Sequence, residues 1–260
     1  MSTANCFLTA AGLIGYPYSI MSRARVKRSL IVLSAAVLLA SIPALFTAGS
    51  EVELRQHLVS FLQRGGNLES LPSNHPLKPL SRLPLTAATS YLLIGEDEGM
   101  LGRFYPEISR IVFDRLDQDD LTDLGLLPGP AAASGASGIY LSPTLNALAS
   151  LELYSLHILA FRVGEYEDAF ELLSWSRGMA ETTTKTFYDP SRNFFFPMNS
   201  EGYMRIQYSA GQALPLLLDR TIGSGARKRV AEKLRNPEIG TRLWAETAGD
   251  PLQPVVACLL

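Results

Sequence analysis

The clearest hydrophobic pattern in the chain lies between Leu141 and Leu218. Leu145, Leu148, Ala149, Glu152, Leu156, Leu159, Ala160 and Val163 recur at helical spacing, which predicts one buried helix face. The opposite side carries Leu151, Tyr154, Ile158 and Phe161, so this helix is apolar nearly all round and must be covered on both sides. The following segment, Glu167 to Thr186, alternates apolar and charged positions at the same period and predicts an amphipathic helix of an outer layer. An aromatic hairpin over FYDPSRNFFFP and a further inner helix through ALPLLL complete the stretch. Inner and outer helices in succession describe a layered helical shell.

The rest of the chain repeats this alternation. An apolar helix is expected over Ser29–Thr47, ended by Gly49. Ser50 with Glu53 forms a capping box for a helix over Glu51–Arg64, which Gly65-Gly66 stops. Pro72, Pro76, Pro79 and Pro84 keep 67–84 out of helix. Helices over Leu85–Leu93 and Met100–Leu116 form a second hairpin, with Glu96, Asp97 and Glu98 in its solvated turn. Residues 117–142 form the longest irregular piece, and Arg227–Arg235 predicts a last helix. No internal linker appears, so the organisation is a lead-in over 1–28 and one domain over 29–260.

Several phrases resemble the six-hairpin glycosidases, the group of processing α-glucosidases, trehalases and the amylo-α-1,6-glucosidase part of glycogen-debranching enzymes. They are LNALASLELYSLHILAFRVGEYEDA, FYDPSRNFFFP and IQYSAGQALPLLL, preceded by GYPYS at Gly15–Ser19, IPALFTAGSEVELRQHLVSFLQRGGNLESLPSN and LIGEDEGMLGRFYPEISRIVFDRLDQDD. The resemblance spans most of Gly15–Gly240 in consistent order. It implies an all-α fold, a partial (α/α)6 toroid of inner and outer helices with one small aromatic β-hairpin. A full ring of six hairpins asks for more helices than 260 residues hold, so an open inner-helix edge is expected, covered by a protein partner or a second copy.

Composition adjusts the picture in two places. Hydrophobic residues make up 47% of the chain, enough for a sizeable core, while charged residues reach only 18%, which leaves more surface packed or partner-facing. A net charge of −2 gives no electrostatic footprint for nucleic acid. Ser29–Gly49 holds no charge over roughly 20 residues, long enough to cross a hydrocarbon core, and RARVKR precedes it as a signal or anchor would require. With Met21 as the start it would read as a signal sequence. Two readings of 29–48 stay open, the first inner helix of a cytoplasmic protein and a membrane anchor. Cys6 and Cys258 lie near opposite ends, and His57, His75 and His157 fall one per segment with no zinc-site spacing, so no metal or other cofactor is expected. His157, inside the apolar helix, reads as a hydrogen-bonded core or mouth residue.

Glycoside hydrolysis uses two carboxylates across the scissile bond. The resemblance implies one acid in the loop before the Asn-Ala helix, yet no carboxylate occurs from Gly125 to Ser142. It implies another at the first helix, where SRARVKRS has only Arg and Lys, and a last in C-terminal hairpins that fall beyond Leu260. The substitutes are Glu152, on the inner helix after Asn146-Ala147, and Asp120, within the Asp117, Asp119, Asp120 and Asp123 cluster. Sugars stack on ring faces and bond through their hydroxyls, which makes Tyr140, Asn146, Tyr154, Gln207 and Tyr208 the candidate substrate-binding residues. Asp189 is expected to start the DPSRN turn by binding the amides ahead of it. GASG at 135–138 lacks the Lys and the strand of a phosphate loop. The expectation is a glycosidase-like protein of the α-glucosidase or debranching type, impaired in catalysis and acting in carbohydrate binding or assembly. The alternative is a noncatalytic accessory subunit of a larger, membrane-associated complex.

Overall fold

The computed structural model describes residues 51–67, 70–72, 75, 77, 98–117, 121–129, 140–199, 201–206, 208, 210–218 and 223–236. The expected helices over 29–47 and 85–93 lie outside the described residues, as do Asp120, Gln207 and both cysteines. The elements in chain order are α1 (Glu51–Gln63), α2 (Glu98–Asp117), β1 (Pro128–Gly129), β2 (Tyr140–Leu141), α3 (Pro143–Val163), α4 (Tyr166–Phe187), β3 (Tyr188–Asp189), β4 (Phe194–Phe195), a 3-10 helix (Ala210–Leu217) and α5 (Ser224–Arg235). The class is all-α, with small antiparallel ribbons, and its inner and outer helices are compatible with part of an all-α toroid. Contacts divide the chain into two compact units, Met1–Ile111 with Ser155–Ala169 and Val112–Tyr154 with Phe170–Leu260.

In the first unit, α1 buries Leu54, Leu58, Phe61 and Leu62, the i, i+4, i+7, i+8 set of one helix face. Gly65 ends it at φ +59°, and the amides of Gly65 and Gly66 return to the carbonyls of Leu62 and Phe61. Gly66 leaves room for the Phe61 ring, where any Cβ would collide. Along α2, Leu101, Phe104, Tyr105, Ile108 and Ile111 form the buried stripe. Glu98 opens this helix, so it stands in the first turn of α2 and not in the connecting turn.

In the second unit, Ser142 caps α3 by accepting the Leu145 amide at 3.3 Å, and Pro143 occupies the first helical position, where its missing N–H costs nothing. Buried residues run round α3: Ala147, Ala149, Leu151, Leu153, Leu156 and Leu159 lie on several faces. This is the inner helix that the pattern required. α4 buries only its inward stripe, Leu172, Ser176, Met179, Ala180, Thr183 and Phe187, and exposes Phe170 and Trp175. Ser150 and Ser176 exchange hydroxyl-to-carbonyl bonds of 2.9 and 2.8 Å, which draws α3 and α4 close at small residues.

Among the described residues α3 alone is long and apolar enough to cross a membrane, and 61% of that stretch is buried, as in a core helix. The anchor reading of 29–48 concerns residues outside those described.

The last inner element is a 3-10 helix where an α-helix was expected. Pro215 sits within it and would collide with the carbonyl four residues back in α geometry. Residues 211–216 are nonetheless buried. Burial, which the hydrophobic pattern encodes, survives the change of helix type.

Candidate functional site

The N-terminal end of α3 is the meeting place of the second unit. β2 leads into it, pairing with β1 as Pro128↔Leu141 and Gly129↔Tyr140. Leu141 bridges Met198 on its other side, and Met198 bridges Met204. Gly211 of the 3-10 helix approaches Thr144 so closely that a Cβ would lie 3.0 Å from its hydroxyl. Three stretches distant in sequence are thereby brought to one helix end.

Asn146 organises this end. It is fully buried, and its Oδ1 accepts the Leu127 amide at 2.7 Å while Nδ2 donates to the carbonyls of Leu127 at 3.1 Å and Ser142 at 3.0 Å. The side-chain amide copies a peptide group and satisfies Leu127, which stands before β1 in a loop with few backbone partners of its own. The loop is tightened further back by Thr122, whose amide and hydroxyl both donate to the Leu126 carbonyl, with Gly125 at φ +68° in the turn. Asn146 therefore meets the protein through all its polar atoms.

The aromatic hairpin is built on Asp189. Its Oδ1 accepts the Ser191 amide (2.8 Å), the Ser191 hydroxyl (2.6 Å) and the Arg192 amide (3.1 Å), and Oδ2 pairs with the Arg192 guanidinium at 2.7 Å. The Ser191 hydroxyl first, then Arg192, hold this carboxyl well below the usual carboxylate range. Asn193 takes the left-handed region at φ +50° and closes the turn. Asp189 thus starts the turn as its sequence context predicts.

Strand alternation predicts one or two rings of this hairpin pointing inward, but Phe187, Phe194, Phe195 and Phe196 are all fully buried. Both faces of the ribbon are covered. Phe194 and Phe196 meet Tyr208 at ring distances of 5.2 and 5.3 Å, while Phe195 meets Tyr188 at 5.4 Å on the other face. α5 closes over the same region. Lys233 donates to the Arg192 carbonyl and lies 5.2 Å from the centre of the Tyr208 ring, Arg229 donates to Asn193 Oδ1 at 2.6 Å, and Arg227 reaches the Leu216 carbonyl. The sequence placed a helix over Arg227–Arg235 and assigned its basic residues no partner.

The remaining candidates are placed as follows. Tyr140 contributes backbone to β2 at the mouth of α3. Tyr208 is half-buried in the aromatic cluster. Glu152 and Tyr154 lie further along α3, Glu152 about 9 Å from Asn146 by helix rise, with Glu152 6% exposed and Tyr154 half-buried. Tyr140 and Asn146 thus stand at the N-terminal end of α3, while Tyr208 belongs to the aromatic cluster of the hairpin. In the first unit, His157 Nδ1 donates to the Ala169 carbonyl at 2.6 Å in a buried setting, in agreement with a hydrogen-bonded core histidine. No group of three metal-binding side chains occurs among the described residues.

No family model and no curated protein matches the chain. Among solved structures, the chain is similar to a GH78 family rhamnosidase of Bacillus sp. GL1, at 18% identity and a TM-score of 0.50. The similarity covers 60% of this chain and 17% of the length of that one. It shows a shared helical fold and does not single out the α-glucosidase or debranching subfamily.

Proposed function

We propose that the chain is a glycosidase-like protein of the α-glucosidase or debranching type, impaired in hydrolysis and acting in carbohydrate binding at the N-terminal end of α3. The observation that carries this reading is the state of the buried carboxylates. Among the described residues they are Glu152 and Asp189, and Asp189 is bound within its own turn by Ser191 and Arg192. Hydrolysis needs two carboxylates facing one another across a sugar, and no further carboxylate is buried among the described residues. The fold likeness to a rhamnosidase supports a sugar as ligand. In this reading Asn146 holds Leu127 in place, while Tyr140, Tyr154, Gln207 and Tyr208 supply ring faces and polar contacts.

Calorimetric titration of the full chain with maltooligosaccharides and with rhamnose-containing oligosaccharides tests the proposal, alongside chromogenic glucosides and rhamnosides. Saturable binding without turnover is expected. Turnover that disappears in Glu152→Gln would overturn the impairment, and absence of binding to either sugar class would overturn the carbohydrate reading.

A second reading, an accessory subunit, draws on the exposed rings of α4. Tyr166, Phe170 and Trp175 are 55%, 67% and 49% exposed, large apolar groups on an outer helix where a partner protein or second copy could seat. A sedimentation mass equal to a single chain at micromolar concentration would remove its homo-oligomer form. Detergent-free solubility of the full chain would remove the membrane-associated form.

A further inference from the structure

His57 and His75, unrelated by spacing, meet in the first unit with ring centres 5.7 Å apart and planes at 72°. His57 stands on the exposed side of α1, and His75 belongs to the proline-rich stretch that follows it. The His75 amide donates to the Pro72 carbonyl at 2.9 Å, and the Leu77 amide donates to His75 Nδ1 at 3.1 Å. Leu77 is fully buried. An imidazole nitrogen that accepts an N–H must carry a lone pair, so this ring is neutral with its proton on Nε2. That tautomer also argues against a two-histidine metal site, because Nε2 of His75 holds a hydrogen where a metal would need the lone pair.

The geometry points to a proton-operated latch: His75 Nδ1 holds the Leu77 amide while neutral, and protonation there releases the turn that seats Leu77. Once Nδ1 carries a proton it faces the Leu77 N–H donor to donor, and the contact turns from attraction to repulsion. Of the charged side chains described on α1, which are Glu53, Arg55 and His57, His57 is the one whose charge acts on His75, and it acts against protonation. Burial first, then His57, lowers the pKa of His75 from its ordinary 6.5. The sign follows from proton linkage. The closed turn binds fewer protons than the open one below pH 6.5, so the latch is closed above that pH and weakens as pH falls through it.

Amide exchange of Leu77 in the full chain, measured by NMR and expressed as protection relative to the intrinsic rate, tests the latch. Between about pH 7.5 and about pH 5.5 protection should fall about fivefold. His75→Ala should lack this protection at both values. His75→Asn supplies a side-chain oxygen able to accept the same amide in an Asx turn and does not titrate, so it should keep protection at both. His57→Gln should move the loss to higher pH. Wild-type protection that stays level across this range, or an equal loss in His75→Asn, would overturn the proposal.

Discussion

The two compact units fix their buried polar groups by different chemistry. In the second unit the work falls to groups that do not titrate near neutrality: the Asn146 amide on Leu127, the paired hydroxyls of Ser150 and Ser176, and an Asp189 carboxylate held ionised. In the first unit it falls to ionisable rings: His75 on Leu77, His157 on Ala169, and Tyr105 on Asp168 at 2.8 Å. The second arrangement should be indifferent to pH from mildly acidic to mildly alkaline, and in the first the His75 contact alone should respond over that range. A carbohydrate site at the end of α3 would then rest on the pH-indifferent part of the molecule.

The largest expected effect tests the aromatic hairpin. Phe196→Ala removes a fully buried ring packed on Phe194 and Tyr208, and should lower unfolding free energy by about 3–5 kcal/mol in a denaturant titration. Loss under 1 kcal/mol would mean that the hairpin is not part of the core of its unit.

Next comes Asn146→Ala, which leaves the amide and carbonyl of buried Leu127 without their side-chain partners. A loss of about 3 kcal/mol is expected, nearly constant between pH 5 and pH 9. Sugar binding should weaken together with loop 121–129. Unchanged affinity at reduced stability would separate the loop from the binding site.

Tyr105→Phe probes the other unit and should cost about 1 kcal/mol at neutral pH, through loss of the bond to Asp168. Burial, then the Asp168 bond, raises the Tyr105 pKa above its ordinary 10.0. The folded chain therefore keeps this proton longer than the unfolded chain, and the contribution is present below about pH 10 and lost as pH rises beyond it. Alkaline unfolding of wild type and Tyr105→Phe should converge.

The smallest effect is expected at Asp189→Asn. Because its folded pKa lies below the unfolded 3.8, the wild-type carboxylate contributes above that pH and loses the contribution as pH falls through the acid range. The Asn variant should show a deficit of about 1 kcal/mol or less near pH 7, where the partly exposed pair with Arg192 is lost, and a flatter acid limb of thermal stability below pH 4. An equal acid limb in both would place the acid sensitivity elsewhere.

Much of this architecture is readable from local rules. The stripe of Leu54, Leu58, Phe61 and Leu62, the Gly65-Gly66 stop, the all-round apolarity of α3 and the amphipathic α4 each follow from helical period and turn chemistry. Asp189 is readable too, since an Asp-Pro-Ser-Arg turn needs an acceptor for its amides. Three consecutive buried phenylalanines, Phe194–Phe196, were not, because alternation assumes one open face and says nothing of what covers the second. The function of Asn146 was legible only as a position at the start of an inner helix, since its partner Leu127 lies 19 residues earlier in an irregular loop.

By itself, then, the sequence determined which segments are helices, which faces are apolar and where the turns fall, because those depend on residues within a few positions of one another. Tertiary structure decided which polar atoms are used up. It turned Asn146 into a clamp, closed basic α5 over the hairpin through Lys233 and Arg229, and set His75 against His57. The reason is physical: a buried donor or acceptor takes whichever partner folding delivers, and that partner is set by the path of the whole chain.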